Sequence, residues 1–235
     1  MYVQGDATLI VTPLNKHILI DGGGSEFGDF NVGESTLLPY LFDRGIKKLD
    51  YIILTHFDLD HVQAAIYVMK NIRVNKVIIA KQIKSSGAYS EFVEIIKKKK
   101  IEVSVVKAGD RIIVEKDMFF DVLWPDDGEF ISENAINNNS IVCKWRHRDF
   151  SVLFTGDIEE IAEKKILELY RDNLKVLQST VLKVAHHGSK SSSSEEFLEI
   201  VKPKIALIGV GANNLYGHPS SEVIERIDEL RCGYL

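Results

Sequence analysis

The segment Thr55-His56-Phe57-Asp58-Leu59-Asp60-His61 constrains this chain more than any other stretch. Four of its seven residues are His or Asp, and they stand at the exit of an apolar strand predicted over Tyr51 to Leu54. Side chains two positions apart in extended backbone point the same way, so His56 and Asp58 share a face. Asp60 and His61 follow where the chain turns into a helix predicted from Val62 to Lys70. Four nitrogen and oxygen donors within six positions can hold two divalent ions a few ångströms apart, and imidazole with carboxylate suits zinc or manganese. A polar loop with Asp60 capping the helix would account for one aspartate and for neither histidine.

Other strand ends offer the donors that a two-metal site needs from elsewhere. Ser151 to Phe154 is an apolar strand that runs into Thr155-Gly156-Asp157, where the glycine permits a tight exit. A carboxylate at that place can bridge two metals, although Gly-Asp before a helix is by itself an ordinary cap. Leu182-Lys183-Val184-Ala185-His186-His187-Gly188-Ser189 repeats the pattern with two histidines. Adjacent histidines point in different directions, so one is a ligand and the other serves substrate or proton transfer. Ser189 serves phosphate binding or caps a turn, and Lys183 is structural or exposed. Gly217-His218-Pro219 is the last such place, and a lone His before Pro fits a structural loop as well as a catalytic one. The conjunction carries the argument, because catalytic groups collect on loops held by a rigid sheet.

The rest of the chain supplies that scaffold. Ala7 to Val11 and His17 to Ile20 form a predicted hairpin ending in Asp21-Gly22-Gly23-Gly24, an exit where only backbone without Cβ packs closely. Further strands are predicted at Lys76 to Ala80, Val103 to Val106, Arg111 to Val114, Phe119 to Trp124, Ile141 to Trp145, Val181 to Ala185 and Ile205 to Gly209. Helices are predicted at Glu34 to Asp43, Ser90 to Lys100, Glu159 to Tyr170, Glu195 to Ile200 and Ser220 to Leu230. Hairpins first, then strands alternating with helices, imply an α/β fold of sheets covered by helices on the outside. No linker or low-complexity tract interrupts it, so residues 1–235 are one hydrolase domain.

Composition narrows the function classes. The net charge of −5 argues against a surface that grips duplex DNA everywhere, although a local group of Lys144, Arg146, His147 and Arg148 can still receive phosphates. No apolar run is long enough to span a membrane, and no signal peptide is visible. Cys143 and Cys232 belong to no C-x-x-C pair, which removes a thiolate zinc motif and a disulfide framework; Cys143 is a small core residue.

The first segment resembles the metallo-β-lactamase superfamily motif His-x-His-x-Asp-His, with Asp58 in place of the second His. Val3 to Ala7, Ile18 to Gly23, Thr55 to His61, Asn137 to Ser140, Thr155 to Asp157, Lys183 to Ser189 and Tyr216 to Pro219 together resemble, in order, the C-terminal domain of the ComEC family of DNA-internalisation competence proteins. The resemblance implies the metallo-β-lactamase αββα sandwich, two mixed β-sheets with helices on the outer faces and two divalent metal ions, Zn or Mn, at one edge. It implies His56 and Asp58 at the first metal, Asp60 and His61 at the second, Asp157 between them and His187 completing the second. Asn139 stands near the place of a further His ligand, which leaves the first metal loosely held or completed by water. Gln63 and Ala64 replace two glycines frequent in the family, which alters the helix start more than the ligands.

The activity so implied is a metal-dependent phosphodiesterase, a nuclease that degrades one DNA strand while the other enters the cell. Asp60 then orients the nucleophile, and His186, His218 and Ser189 hold phosphate or protonate the leaving oxygen. The partners implied are single-stranded DNA or another phosphodiester, and a membrane channel in the same parent protein. The domain would sit at the extracellular face of the membrane, cut from a longer membrane protein. Two other readings use the same residues: a hydrolase of a small or cell-surface phosphodiester, and a metal-stabilised single-stranded-DNA-binding module without catalysis.

Overall fold

The structure, a computed structural model, describes residues 5–25, 30–81, 86–211 and 214–235. Val3 and Gln4 of the first resemblance motif lie outside them. The chain forms two compact units, one of residues up to Val106 with Val210–Leu215, the other of Lys107–Gly209 with Tyr216–Leu235.

The first unit contains β1 (Thr8–Val11), β2 (His17–Ile20), α1 (Leu38–Asp43), β3 (Lys48–Ile53), α2 (Leu59–Asn71), β4 (Arg73–Ala80), α3 (Gly87–Lys99) and β5 (Glu102–Val106). Its sheet has the order β1-β2-β3-β4-β5, with β1 antiparallel to β2 and the other pairs parallel. The parallel strands are apolar on both faces, and Ile52, Ile53, Val77 and Ile78 are all buried. Leu19, Ile52, Val77 and Ile79 meet Leu41, Val62, Met69 and Phe92 from the three helices in one core. The helix predicted from Glu34 opens instead with a π-helical turn, Gly33–Leu37. The Leu38 N–H closes that turn on the Gly33 carbonyl five residues back, and Pro39 then stands in the first turn of α1, where its missing N–H costs nothing. Ser86 caps α3 through its hydroxyl, and Lys97, Lys98 and Lys99 fill the last turn, where cations complement the helix dipole.

The second unit contains β6 (Arg111–Glu115), β7 (Met118–Trp124), α4 (Ala135–Asn138), β8 (Val142–His147), β9 (Phe150–Phe154), α5 (Glu160–Leu169), β10 (Val181–Lys183), α6 (Glu195–Val201), β11 (Ile205–Leu207), α7 (Ser221–Glu229) and β12 (Gly233–Tyr234). The order is β12-β11-β10-β9-β8-β7-β6: an antiparallel meander from β6 to β9, then parallel pairs out to β12. The two mixed sheets expected from the sequence are therefore present, one in each unit. Leu153, Leu182 and Ala206 pack against Ala162, Ile166, Phe197, Leu198, Val223 and Ile227 of the helices. Strand β12 was not predicted, since two residues carry no alternating pattern and are recruited by pairing with β11.

Lys144 corrects one expectation from composition. Its side chain is 1% exposed, and its ammonium donates to the carbonyls of Val176 and Gln178 rather than facing solvent. Arg146 is paired with Asp121 at 3.1 Å. Lys144 is therefore not available to receive phosphates beside Arg146, His147 and Arg148, because its ammonium is buried on two backbone carbonyls. Burial pushes the Lys144 ammonium down to about 8, with Arg146 adding to the effect and Asp121 opposing it. An unfolded lysine titrates near about 10.4. Between about pH 8 and 10 the unfolded chain therefore binds a proton that the folded chain does not, and stability contributed by this residue rises with pH. Urea or thermal midpoints measured across that window should show the rise in the wild type relative to Lys144→Met. Parallel pH profiles for the two proteins would show that Lys144 stays charged in the fold.

Candidate metal centre

In the first unit the site is built on Asp21. This residue ends β2 with φ +53° and is buried. One carboxylate oxygen accepts from the Thr55 backbone N–H at 2.8 Å, the other from the Thr55 hydroxyl at 2.7 Å. The second oxygen also lies 2.9 Å from His61 Nδ1. Burial raises the Asp21 carboxyl above the usual range, opposed by the charge and hydrogen bond of His61 and by the two bonds from Thr55. Those bonds hold both ends of the Thr55–His61 segment to one carboxylate.

The exit glycines let helix α2 close onto this point. A Cβ at Gly22 would stand 2.4 Å from the Ala65 backbone nitrogen, so no other residue fits there. Gly22 N–H donates to the His61 carbonyl at 2.7 Å, and Ala64 N–H to the Gly23 carbonyl at 3.0 Å. Gln63, one of the two departures from the family pattern, accepts from the backbone N–H groups of Ser25 and Val32 at 3.2 Å each and donates to the Ser25 carbonyl. It thereby ties the chain after β2 to the first turn of α2.

The hydrogen bonds assign the ring nitrogens. Asp21 accepts from His61 Nδ1, which leaves the lone pair of that ring on Nε2. The Thr55 hydroxyl gives its one hydrogen to Asp21, so toward His56 Nδ1, 3.0 Å away, it acts as acceptor. The His56 lone pair is then also on Nε2, which lies 3.8 Å from Asp58 Oδ2. His56 and Asp58 share a face as extended backbone requires. Asp58 is the N-cap residue of α2 but makes no side-chain capping bond. Asp60 sits half-buried in the first helical turn, and the buried His61 ring is 4.1 Å from that of His56. A carboxylate oxygen of Asp6 and a ring nitrogen of His61 lie within 4.8 Å of each other.

In the second unit β9 ends at Phe154, and Thr155 donates to the Lys183 carbonyl at 2.6 Å, clamping two strand ends together. Asp157 is buried and lies two residues before Glu159, the N-cap of α5, so it is not the cap of that helix. Ala185 to Gly188 form a tight turn in which His186 and His187 both have positive φ, 48° and 55°. His187 is buried, and its Nδ1 lies 2.7 Å from the Gly209 carbonyl, which can only accept. Its lone pair is therefore on Nε2, 3.6 Å from Asp157 Oδ2. His186 turns away, with its ring at 66° to that of His187 and its Nδ1 3.6 Å from Glu159 Oε1. His218 is half-buried, its ring 5.9 Å from His186 and stacked 5.8 Å from Tyr216. Burial, then His186 and His187, hold the His218 imidazole below its usual range, with Asp157 opposing. Gly188 permits this approach, since a Cβ there would stand 2.7 Å from Pro219 Cβ.

Other expected residues have structural engagements. Ser189 Oγ accepts from the Ser191 N–H at 3.4 Å and lies 3.0 Å from Ser191 Oγ, closing a turn. Lys183 is buried rather than exposed and donates to the Val184 carbonyl. Asn139 accepts from Ile131 N–H and donates to the Ile131 and Ala135 carbonyls, so its amide holds a loop instead of standing in for a histidine ligand.

The donor set fits divalent metal. Three buried or nearly buried imidazoles each have Nδ1 tied to an acceptor and Nε2 as the basic nitrogen, the arrangement in which an outer partner orients a metal-binding histidine. Asp21 and Asp6 were absent from the expected site residues. Their signal was an acid beside glycine, in Asp21-Gly22-Gly23-Gly24 and Gly5-Asp6, which marks close backbone packing around a carboxylate. Replacing Asp21 with Ala unpairs three donors, at roughly 1–3 kcal/mol for each that stays buried. Zinc affinity, read by competition with a chromophoric chelator, should fall about ten- to a hundredfold in that variant. An unchanged affinity in a folded protein would remove Asp21 from the metal centre.

Comparisons with known proteins agree with this chemistry. The family model described as metallo-beta-lactamase superfamily matches residues 2–211. ComE operon protein 3 of Bacillus subtilis is 34% identical over 233 residues, covering 94% of this chain and 29% of that protein. Competence protein ComA of Neisseria gonorrhoeae is 29% identical over 232 residues, covering 95% of this chain and 28% of its own length. The chain thus spans less than a third of these relatives. Among solved structures, the metallo-beta-lactamase fold protein YhfI from Bacillus subtilis superposes with a TM-score of 0.60 at 10% identity, over 98% of this chain and 88% of that one.

Proposed function

The chain belongs to the metallo-beta-lactamase superfamily, and on that premise we propose that it is a metal-dependent phosphodiesterase, a nuclease that degrades one DNA strand during DNA uptake. The whole of residues 1–235 acts as one hydrolase domain of a longer ComEC-type protein. The observation that most supports a metal centre is the common state of His56, His61 and His187, each with Nδ1 committed and Nε2 basic.

In this reading His56, Asp58, Asp60, His61, Asp157 and His187 would hold the two divalent ions. Asp6 adds a carboxylate beside His61. Bound zinc or manganese would supply charge on the phosphate oxygens and a water acidic enough to act as hydroxide near neutral pH. Asp60 orients the attacking oxygen. His186 and His218 stand together at the second unit's loops and protonate the leaving oxygen, and Ser189 with its neighbours holds phosphate. Burial holds His218 below its usual range, so its imidazolium gives up a proton the more readily.

DNA as substrate rests on the likeness to a relative named as a competence protein. Single-stranded DNA is then the partner, and a channel in the same parent protein delivers it at the extracellular face of the membrane. No helix among the described residues is long and apolar enough to cross a membrane, so that channel would lie in other parts of the parent.

Metal-stripped protein should leave labelled single-stranded and double-stranded DNA intact and regain cleavage when manganese or zinc is restored. Asp60→Ala with His61→Ala should abolish it. Hydrolysis of a small phosphodiester with DNA left intact would keep the metal chemistry and reject the nuclease. No hydrolysis of either, with metal still bound, would leave a binding module.

A further inference from the structure

Glu159 lies outside the ligand set, yet it is held more rigidly than an N-cap residue needs. It makes no side-chain capping bond to α5. One oxygen, Oε2, accepts from Asn138 Nδ2 at 3.1 Å, and the other, Oε1, accepts from the Ser191 hydroxyl at 3.0 Å. Asn138 Oδ1 accepts in return from the Glu159 backbone N–H at 2.9 Å, and Glu160 N–H donates to the Ser191 carbonyl at 2.8 Å. Oε1 then lies 3.6 Å from His186 Nδ1, an atom buried from solvent that makes no hydrogen bond among the described residues. A buried polar nitrogen without a partner is costly, and such contacts in an unliganded site tighten when substrate arrives.

We propose that Glu159 is a positioning residue for His186: its fixed carboxylate oxygen holds the imidazole hydrogen on Nδ1, so that Nε2 is the nitrogen that takes up a proton from water and passes it to the leaving oxygen of the phosphodiester. The consequence for the reaction rests on the phosphodiesterase reading above; the ring assignment does not. Free imidazole in water carries no such constraint, and a ring free to turn or to switch tautomer would present the wrong nitrogen part of the time. The arrangement also explains why two adjacent histidines do different work. The carbonyl of Gly209 orients His187, and the carboxylate of Glu159 orients His186.

Asn138 makes a sharp test available. Its amide nitrogen must donate toward residue 159, because its own oxygen is already accepting from the Glu159 N–H. In Glu159→Gln the new amide oxygen therefore faces Asn138, and its NH2 group faces Ser191 and His186. Shape and packing are kept while the acceptor opposite Nδ1 becomes a donor. Nitrogen-15 spectra of histidine-labelled, zinc-loaded protein at alkaline pH, with His186 assigned by its loss in His186→Ala, should show the Nδ1–H form in the wild type and the Nε2–H form in Glu159→Gln. Turnover of bis(p-nitrophenyl) phosphate should fall about ten- to a hundredfold in kcat with KM little changed. The double variant with His186→Ala should be no slower than His186→Ala alone.

An Nε2–H ring in the wild type, or a tautomer indifferent to Glu159→Gln, overturns the proposal. So does a further loss in the double variant, which would mean that Glu159 acts through something other than His186. Loss of bound zinc in Glu159→Gln would make the residue a ligand and overturn it as well. If the wild type hydrolyses no phosphodiester, the functional reading fails, while the tautomer comparison still decides the role of Glu159.

Discussion

Asp21 is a carboxylate buried at the end of a parallel strand, and the first unit's part of the candidate metal centre depends on it. Burying an ionised carboxylate is expensive unless donors surround it. Here the Thr55 N–H, the Thr55 hydroxyl and His61 Nδ1 meet that need. Each donor belongs to the segment whose geometry matters most, so satisfying the charge and orienting the ligands are one event. Asp21 determines the His61 ring directly and the His56 ring through the hydroxyl of Thr55.

The second unit solves the same problem with different chemistry. A backbone carbonyl takes the place of the carboxylate at His187, and the left-handed backbone at His186 and His187 separates two neighbouring rings. Such backbone costs energy for residues with a Cβ, on the order of 1–3 kcal/mol each, and persists only where the surroundings enforce it. The enforcement is visible in the His186 N–H bond to the Gly156 carbonyl and in the serine turn that follows. That turn is itself held by the buried Glu163, which accepts from the N–H groups of Ser193 and Ser194, and by Arg226, which donates to the Ser192 and Ser193 carbonyls.

Much of the scaffold was legible from local pattern. The strands β4, β7 and β9 and the helices α2, α3 and α5 came from apolar periodicity, with boundaries a few residues off. The π-turn before α1 and the two-residue β12 were not legible, because the first differs from an α-turn only in which carbonyl one N–H reaches and the second depends on a neighbouring strand. Lys144 illustrates the same limit. In sequence it joins a basic group with Arg146 and Arg148, whereas in the fold its ammonium is buried on the carbonyls of Val176 and Gln178, more than 30 positions away in the chain.

The sequence by itself determined the donor types and their strand-end positions: His56, Asp58, Asp60, His61, Asp157 and the pair His186-His187. Those follow from residue identity and short-range geometry. Tertiary structure decided which nitrogen of each ring is basic and which of two adjacent histidines meets Asp157. The reason is distance along the chain. His61 takes its tautomer from a residue 40 positions away, His187 from one 22 positions away, and His186 faces a carboxylate on another loop. A ring's proton follows whichever acceptor the fold brings to it, and no local pattern encodes that.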